Sequence, residues 1–499
     1  MSKVFDLRLE DLKELRKVDP RIMSYNVEMT EVTGGTFWKR YSKGVIEGTE
    51  TFPPLKSIMD MGSIMQVYPP INLYDEKLRS LANEFAPVWV RVSGTWATKT
   101  YYDFDGHTNG VAPEGYQSVL TKDQWIGVLE FVKFLGAKLL VSVNNCEGLH
   151  KASEPWNPSQ AELLFRFSKE YGVPIDAAEF MNEPNMLAFS GAPVGYTAKD
   201  YVRDQDLFFK WVRENYPGTL LAGPCTVAME AAGDASNAGG IVSMMGDNCS
   251  TTELMEGTKE PLDIFSYHYY NGISDRLAST MPSMHWDPNK TLSEEYLAVA
   301  LASCRTCIPF RDKYCPNGQM WVTESGDAGG GGNSWASTFM DVFRTLNELG
   351  GFAKLTDGII FHNTLASSDY GFLDHSTFDP RPNYFAVLLW TRLMGNTVYD
   401  ANIPTQEGAH IYVHSSKDEK GYTYLVINNS KTESTTVNLP KDAEMYCLSS
   451  EHLRSSTMLL NGNPLVLDEN NKLPNLDGVK VSKGDVTLAP ATCTYFVIK

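Results

Sequence analysis

The sequence lacks several features that would assign it to a class at once. Its 499 residues contain no uncharged apolar run of about 18 residues or more, so we expect no transmembrane helix. Basic residues are the minority, because 43 Lys and Arg stand against 61 Asp and Glu, giving a net charge of −18. No long basic cluster interrupts this acidity. Such a surface repels polyanions at long range, so neither nucleic acid nor an anionic membrane is an expected partner.

Cysteine is also scarce, with eight residues spread along the chain. These are too few for a disulfide scaffold. Cys304-x-x-Cys307 followed by Cys315 hints at a zinc site, but no fourth ligand lies at a suitable spacing. Buried or free thiols are therefore the favoured interpretation, and we expect neither a metal nor another cofactor.

The first nine residues contain no apolar core of a signal peptide. A reducing cytoplasm is therefore the default expectation for the compartment. A secreted or periplasmic protein that has lost its signal peptide would have the same sequence. The oligomeric state is not predicted from these features.

Helical and strand patterns alternate over most of the chain. The capping boxes Thr121 with Gln124 and Ser159 with Glu162 predict two helix starts. Eight strands are predicted at residues 21–27, 88–92, 138–143, 175–181, 219–223, 263–269, 319–323 and 358–361. This order favours a parallel (β/α)8 TIM barrel over residues 19–395. A doubly wound open sheet is the alternative, but no Gly-x-Gly-x-x-Gly follows the first strand.

After about residue 395 the pattern changes to short alternating strands separated by turn-rich stretches, which is typical of a β-sandwich. Near the N-terminus, Phe5, Leu7 and Leu9 fall on one face of a half-buried strand. We expect this strand to join the sandwich. The predicted domains are therefore a barrel, residues 19–395, and a β-sandwich, residues 1–18 and 396–499.

Two carboxylates occupy the positions where catalysis is expected in a barrel, at the carboxyl ends of strands. Glu183 follows the fourth predicted strand within Asn182-Glu183-Pro184, and Glu324 follows the seventh. Two carboxyl groups about 5–5.5 Å apart, one protonated and one ionised, are what a retaining glycosidase needs. A buried salt bridge or a loop cap would explain either acid alone, but the pair favours catalysis.

Asn182-Glu183-Pro184 together with Glu324 resembles the clan A retaining glycosidases. More narrowly, the chain resembles glycoside hydrolase family 79, the heparanase and β-glucuronidase group. The family pattern is visible in residues 90–95, 182–185, 267–272, 321–332, 370–374 and 378–384. The resemblance implies a retaining hydrolase of β-linked glucuronic acid, acting on glucuronides or on weakly sulfated or unsulfated glycosaminoglycan, at chain ends or within chains.

The resemblance also implies roles for individual residues. Glu183 would be the general acid/base and Glu324 the nucleophile. Asn182 would bind the sugar 2-hydroxyl, Tyr269 would orient Glu324, and Glu28 and Thr95 would contact other sugar hydroxyls. The same family holds the glucuronate carboxylate with a glycine-rich loop and a tyrosine, whose positions correspond to Gly330, Gly331 and Tyr370.

Three features depart from the family pattern. His362 stands where relatives often have Gln, and we expect it to reach the sugar; Gly329 stands where they have an aromatic residue. Residues 226–235 contain no Arg or Lys, which leaves Arg276 as the one nearby candidate for contacting sulfate. A densely sulfated substrate is therefore not expected.

Two other hypotheses stay open at this point. The first keeps the clan and changes the sugar, as in a xylosidase or glucanase. The second is a carbohydrate-binding pseudoenzyme that uses the sandwich as a lectin, against which the two intact carboxylates argue.

Overall fold

A computed structural model of the chain describes residues 3–227 and 249–499. Eight parallel strands close a barrel in sequential order. They are β1 (Met23–Glu28), β2 (Trp89–Ser93), β3 (Lys138–Ser142), β4 (Ala177–Glu179), β5 (Leu220–Val227), β6 (Ile264–Tyr270), β7 (Gln319–Gly326) and β8 (Ile360–His362). The prediction of a (β/α)8 barrel is confirmed. Residues 228–235, which belong to the stretch without basic residues noted above, lie outside the described residues.

The barrel is surrounded by α-helices, the longer of which pack apolar side chains against the strands. Their bounds are Met29–Thr33, Lys43–Glu47, Glu76–Asn83, Lys122–Leu135, Ser159–Tyr171, Leu187–Ser190, Ala198–Asn215, Thr251–Met255, Glu294–Tyr314, Val342–Leu355 and Pro382–Leu393. The capping box of Thr121 with Gln124 is confirmed. The one at Ser159 is wrong, because Pro158 is the N-cap and the Ser159 hydroxyl donates to Asn157 instead.

Two further sheets, outside the barrel, form a second structural unit of the molecule. The larger joins Lys13–Lys17, Met394–Asp400, His410–Ser416, Tyr422–Asn428, Thr492–Ile498, Ala443–Ser449, Leu459–Leu460 and Asn463–Pro464, with Val479–Val481 beside Ala443–Ser449. The smaller joins Lys3–Asp6, Thr435–Leu439 and Gly484–Leu488. The N-terminal segment thus contributes to both sheets, including a strand, Lys13–Lys17, that the sequence pattern does not predict.

The two sheets face each other across an apolar core that includes Leu7, Val426 and Phe496. The opposite face of the larger sheet packs on the barrel helices, where the Tyr412 hydroxyl donates to Asn347 Oδ1 at 2.7 Å. This contact fixes the helix Val342–Leu355, which follows β7. The sandwich therefore braces the side of the barrel that carries Glu324.

The barrel interior has an apolar layer at the amino ends of its strands. Eight side chains form one buried cluster there: Trp89, Leu140, Ala177, Ala222, Ile264, Trp321, Ile359 and Phe361. The rings of Trp89 and Trp321 meet with centroids 4.9 Å apart. This layer closes one end of the barrel, so that only the carboxyl end is open to a ligand. In residues 3–227 and 249–499, no helix combines the length and apolarity needed to span a bilayer.

Candidate active site

Glu183 and Glu324 meet at the carboxyl end of the barrel. Both line a cavity of about 700 Å³, and both are almost completely buried. One oxygen from each carboxylate and a ring nitrogen of His268 all lie within 4.8 Å of one another. The separation of the two carboxylates agrees with the short spacing of retaining glycosidases, which is about 5–5.5 Å between carboxyl groups.

The environment of Glu183 favours a protonated carboxyl. Burial raises the pKa of Glu183 to about 7, and the positive charge of Arg91 opposes that rise only in part. Its Oε1 lies 2.9 Å from His268 Nδ1. The main chain is also fixed, because the Glu183 amide donates to the Cys225 carbonyl at 3.2 Å. At neutral pH a proton is therefore available on Glu183 for transfer.

Glu324 is held by donors on both oxygens. Arg91 Nη1 donates to Oε1 at 3.1 Å, and the Tyr270 hydroxyl donates to Oε2 at 2.7 Å. Arg91 has no exposed surface, and its guanidinium also donates to Glu179 at 3.0 Å and to Asn182 Oδ1 at 2.9 Å. These charge-assisted hydrogen bonds fix an ionised Glu324 in one orientation.

His268 lies between the two acids as a neutral side chain. Burial lowers the pKa of His268 to about 4. Its Nε2 faces Arg91 Nη2 at 3.3 Å, and because guanidinium only donates, Nε2 accepts. The proton therefore resides on Nδ1, an assignment from the hydrogen-bond network, and Nδ1 donates to Glu183.

The tyrosine beside Glu324 is Tyr270, and the prediction of Tyr269 is wrong. Successive side chains of β6 point to opposite faces, so His268 and Tyr270 point into the barrel. The Tyr269 ring packs against Phe352, with centroids 6.2 Å apart, on the helix side. Its hydroxyl has no hydrogen-bond partner among the described residues.

Three other predicted contacts lie close to the acids. Asn182 is buried, and its amide oxygen accepts a hydrogen bond from Arg91. Glu28 lines the cavity, and its Oε2 has no hydrogen-bond partner among the described residues. Burial and the neighbouring charge of Glu324 raise the pKa of Glu28. A Cβ at Gly94 would overlap this carboxylate, so only glycine fits there. Thr95 is half-buried in the cavity wall.

The glycine-rich loop follows β7 and borders the cavity. Gly330 lines the cavity, whereas Gly331 packs on Trp38 and Ser368. Both have φ near +88°, which glycine adopts without strain. In the described part of the chain neither of these two amides donates to a backbone carbonyl. Tyr370 also lines the cavity, and its hydroxyl accepts from Asn363 at 3.2 Å.

Arg276 lies behind this loop with no exposed surface, so it cannot contact a sulfate group as predicted. Its Nη1 donates to the carbonyls of Gly330 at 3.1 Å and Gly332 at 2.8 Å. It also pairs with Asp369, and its guanidinium lies 3.9 Å from the centre of the Tyr41 ring. The loop carbonyls are thus turned toward a buried cation.

His362 is not a sugar contact, which corrects the prediction. Its Nε2 lies 2.7 Å from the Tyr370 carbonyl, and its ring stacks on Phe372 at 3.8 Å between centroids. The next residue, Asn363, faces the cavity instead and donates to the Tyr270 hydroxyl at 2.9 Å. β8 ends at His362, so the side chain that reaches the site is the first one of the following loop.

Sequence reasoning missed Arg91, His268, Tyr270 and Asn363. The first three belong to the segments 90–95 and 267–272, which carry the family resemblance. Strand alternation would have separated Tyr270 from Tyr269, had the register of β6 been known. Nothing in the sequence pattern singles out Asn363.

Two groups of described residues have the spacing of metal ligands. One is Asp103, Asp105 and His107 on the surface, and the other is Glu183, His268 and Glu324. Neither contains a cysteine. Cys304 and Cys307 are buried in the helix Glu294–Tyr314, and Cys315 is buried just beyond its end.

Known proteins resemble this chain in sequence and in fold. Residues 63–350 match the model of the glycosyl hydrolase family 79 N-terminal domain. Heparanase-like protein 1 of Arabidopsis thaliana is 24% identical, with 83% of this chain and 82% of the relative covered. Baicalin-beta-D-glucuronidase of Scutellaria baicalensis is 25% identical, with 82% and 80% covered. In structure, a 4-O-alpha-L-rhamnosyl-beta-D-glucuronidase from Fusarium oxysporum is similar, with TM-score 0.62, 12% identity, and 99% and 100% covered.

Proposed function

The chain belongs to glycosyl hydrolase family 79, and from that premise we propose that it hydrolyses β-linked glucuronic acid with retention of configuration. The observation that carries this proposal is the pair Glu183 and Glu324, whose oxygens lie within 4.8 Å and whose surroundings differ in charge. Glu183 is the general acid/base, and Glu324 is the nucleophile.

The reaction proceeds in two displacements. Glu324 attacks C1 of the sugar while Glu183 protonates the leaving oxygen, which gives a covalent glycosyl-enzyme. Glu183 then takes a proton from water, which attacks C1 and releases the sugar. Because His268 Nδ1–H occupies Oε1 of Glu183, the transferable proton is on Oε2. Arg91 and Tyr270 hold Glu324 in place for the attack.

Recognition of the uronic acid rests on the glycine loop. The amide of Gly330 and the Tyr370 hydroxyl bind the glucuronate carboxylate, and Arg276 supports the loop from behind. Backbone N–H groups of a glycine loop can surround an anion without an exposed positive side chain. Glu28 and Thr95 contact sugar hydroxyls, and Asn182 binds the 2-hydroxyl, a contact that strengthens in the transition state.

The alternatives have weaker support. The sugar that a xylosidase or glucanase cleaves has no carboxylate that the glycine loop could bind. A lectin-like pseudoenzyme would not need one protonated and one ionised glutamate. The relative from Scutellaria baicalensis carries a glucuronidase name, which also favours the uronic acid.

The test is release of nitrophenol from 4-nitrophenyl β-glucuronide, with the matching β-glucoside and β-xyloside as controls. We expect the glucuronide to be cleaved with the largest kcat/KM, and the Glu324→Gln variant to serve as the blank. A larger kcat/KM for either neutral sugar would refute the uronic acid. No cleavage of the glucuronide, of unsulfated hyaluronan or of heparosan would refute the proposed function.

A further inference from the structure

The residues that line the cavity fall into two groups of different chemistry. One group consists of the catalytic pair and its polar neighbours. The other, which we call the wall, consists of the apolar side chains Trp96, Met186, Phe189, Met281, Met284 and Trp286. At about 700 Å³ the cavity falls in the range of about 300–1,000 Å³ that is common for small-molecule pockets. The cavity therefore has room for a second group besides the sugar that Glu324 attacks.

The wall begins beside the proton donor. The Met186 amide donates to the Glu183 carbonyl at 3.0 Å, and Phe189 lies in the short helix that follows, Leu187–Ser190. The leaving oxygen must lie within hydrogen-bond distance of Glu183 to receive its proton. The group attached to that oxygen therefore starts next to Met186 and Phe189.

The wall offers ring faces and thioethers more than hydrogen-bonding groups. The indole Nε1 of Trp286 already donates to the Asn271 carbonyl at 2.9 Å, so its ring acts as an apolar surface. Trp96 packs edge-on against Phe37, with centroids 5.1 Å apart. Met186, Met281 and Met284 add flexible side chains that adapt to ligands of different shape.

Charge also speaks against a polyanionic occupant. Lys290 is the one Lys or Arg among the described residues that line the cavity. In hyaluronan or heparosan the sugar attached to the cleaved glucuronic acid is N-acetylglucosamine, whose hydroxyls and acetamide would lose water against the apolar wall, which is costly.

We infer that the wall is a leaving-group subsite for apolar, ring-containing aglycones, so that the substrates are β-glucuronides of phenols and apolar alcohols. This inference rests on the proposed function and narrows it. Catalysis takes place on a single terminal glucuronic acid, and the methionines allow several aglycone shapes.

The experiment compares benzyl β-glucuronide with methyl β-glucuronide. Their leaving alcohols have nearly the same acidity, so a difference in kcat/KM reports contacts of the aglycone. We expect the benzyl compound to have a kcat/KM about 10- to 100-fold larger, the size of discrimination that an apolar pocket gives.

Two variants assign this preference to the wall. Phe189→Ser should reduce the benzyl-to-methyl ratio of kcat/KM by several-fold. Val194→Ser is the matched control, because Val194 lies in the same segment but is 83% exposed. It should leave the ratio unchanged, and thermal unfolding would verify that both variants are folded.

The outcomes separate the inference from the function on which it rests. Equal kcat/KM for the benzyl and methyl compounds would overturn the apolar subsite and leave the glucuronidase intact. A hyaluronan or heparosan oligosaccharide cleaved with a larger kcat/KM than the benzyl compound would overturn it too. Failure to cleave any of these glucuronides would refute the proposed function itself.

Discussion

The same eight strands line both ends of the barrel, but with opposite chemistry. At the amino ends, Trp89, Leu140 and Trp321 belong to a dry apolar cluster. At the carboxyl ends, two or three residues farther along the same strands, Arg91 and Glu324 are buried and charged. The first layer holds the strands together through apolar burial, whereas the second requires each charge to have a partner.

This difference shows how one scaffold separates stability from chemistry. A buried ion network is weak evidence for stability, because its members lose their hydration. Arg91 nevertheless contacts Glu179, Asn182 and Glu324 at once, which orients Glu324, the proposed nucleophile. The apolar layer lets the barrel tolerate this costly arrangement. Mutations in the two layers should therefore have separable effects.

Glu324→Gln should have the largest effect, and only on turnover. The amide keeps the size of the side chain but cannot attack C1, so kcat should fall by about 10⁴-fold or more. The melting temperature should stay within a few degrees of wild type. Turnover above one-hundredth of wild type in this variant would exclude Glu324 as the nucleophile.

Leu140→Ala should have the reverse effect. Leu140 is completely buried in the apolar layer, on a strand for which we propose no catalytic residue. Its truncation should lower the free energy of unfolding by about 2–5 kcal/mol. Denaturant unfolding and kcat per folded molecule should be measured together. A large loss of kcat with unchanged stability would contradict the separation of the layers.

Tyr270→Phe and Tyr269→Phe form a matched pair within one strand. The first removes the donor to Glu324 Oε2 and should reduce kcat by roughly 10²-fold. The second removes a hydroxyl without a partner among the described residues, so kcat should change little. Equal losses in the two variants would mean that Tyr270 acts only through packing.

The pH dependence of kcat/KM should report the ionisation of Glu183. Its pKa is raised to about 7 by burial, and the proposed mechanism needs the protonated form. For methyl β-glucuronide, kcat/KM should therefore fall tenfold per pH unit above about pH 7. In Glu183→Gln this alkaline decline should vanish with 4-nitrophenyl β-glucuronide, whose leaving group needs little protonation. A wild-type kcat/KM that stays constant to pH 9 would argue against Glu183 as the acid.

The fold was largely predictable because its signals are local. Each of the eight predicted strands overlaps a barrel strand, since apolar runs and helix starts depend on neighbours in the sequence. The strand Lys13–Lys17 was missed because its pattern is polar and its partner, Met394–Asp400, lies far along the chain. Ser159 was misassigned because Asn157 competes for its hydroxyl.

The site was predictable only in part, because it depends on register and on contacts between strands. Glu183 and Glu324 stand out at strand ends, but the choice between Tyr269 and Tyr270 depends on which face of β6 points inward. Nothing in the sequence distinguishes Arg276 from an exposed arginine. Only the fold shows that Asp369, Tyr41 and two glycine carbonyls enclose it.

Because Arg276 is enclosed, its contacts with the glycine loop should depend little on ionic strength. Mobile ions weaken attraction between exposed charges beyond about 8–10 Å, but they cannot enter the packed space around a guanidinium with no accessible surface. The hydrogen bonds from Arg276 to the Gly330 and Gly332 carbonyls should thus persist at high ionic strength. The KM for a glucuronide should therefore not rise between dilute buffer and molar salt, because salt leaves the loop in place and screens the repulsion between the anionic substrate and a chain of net charge −18.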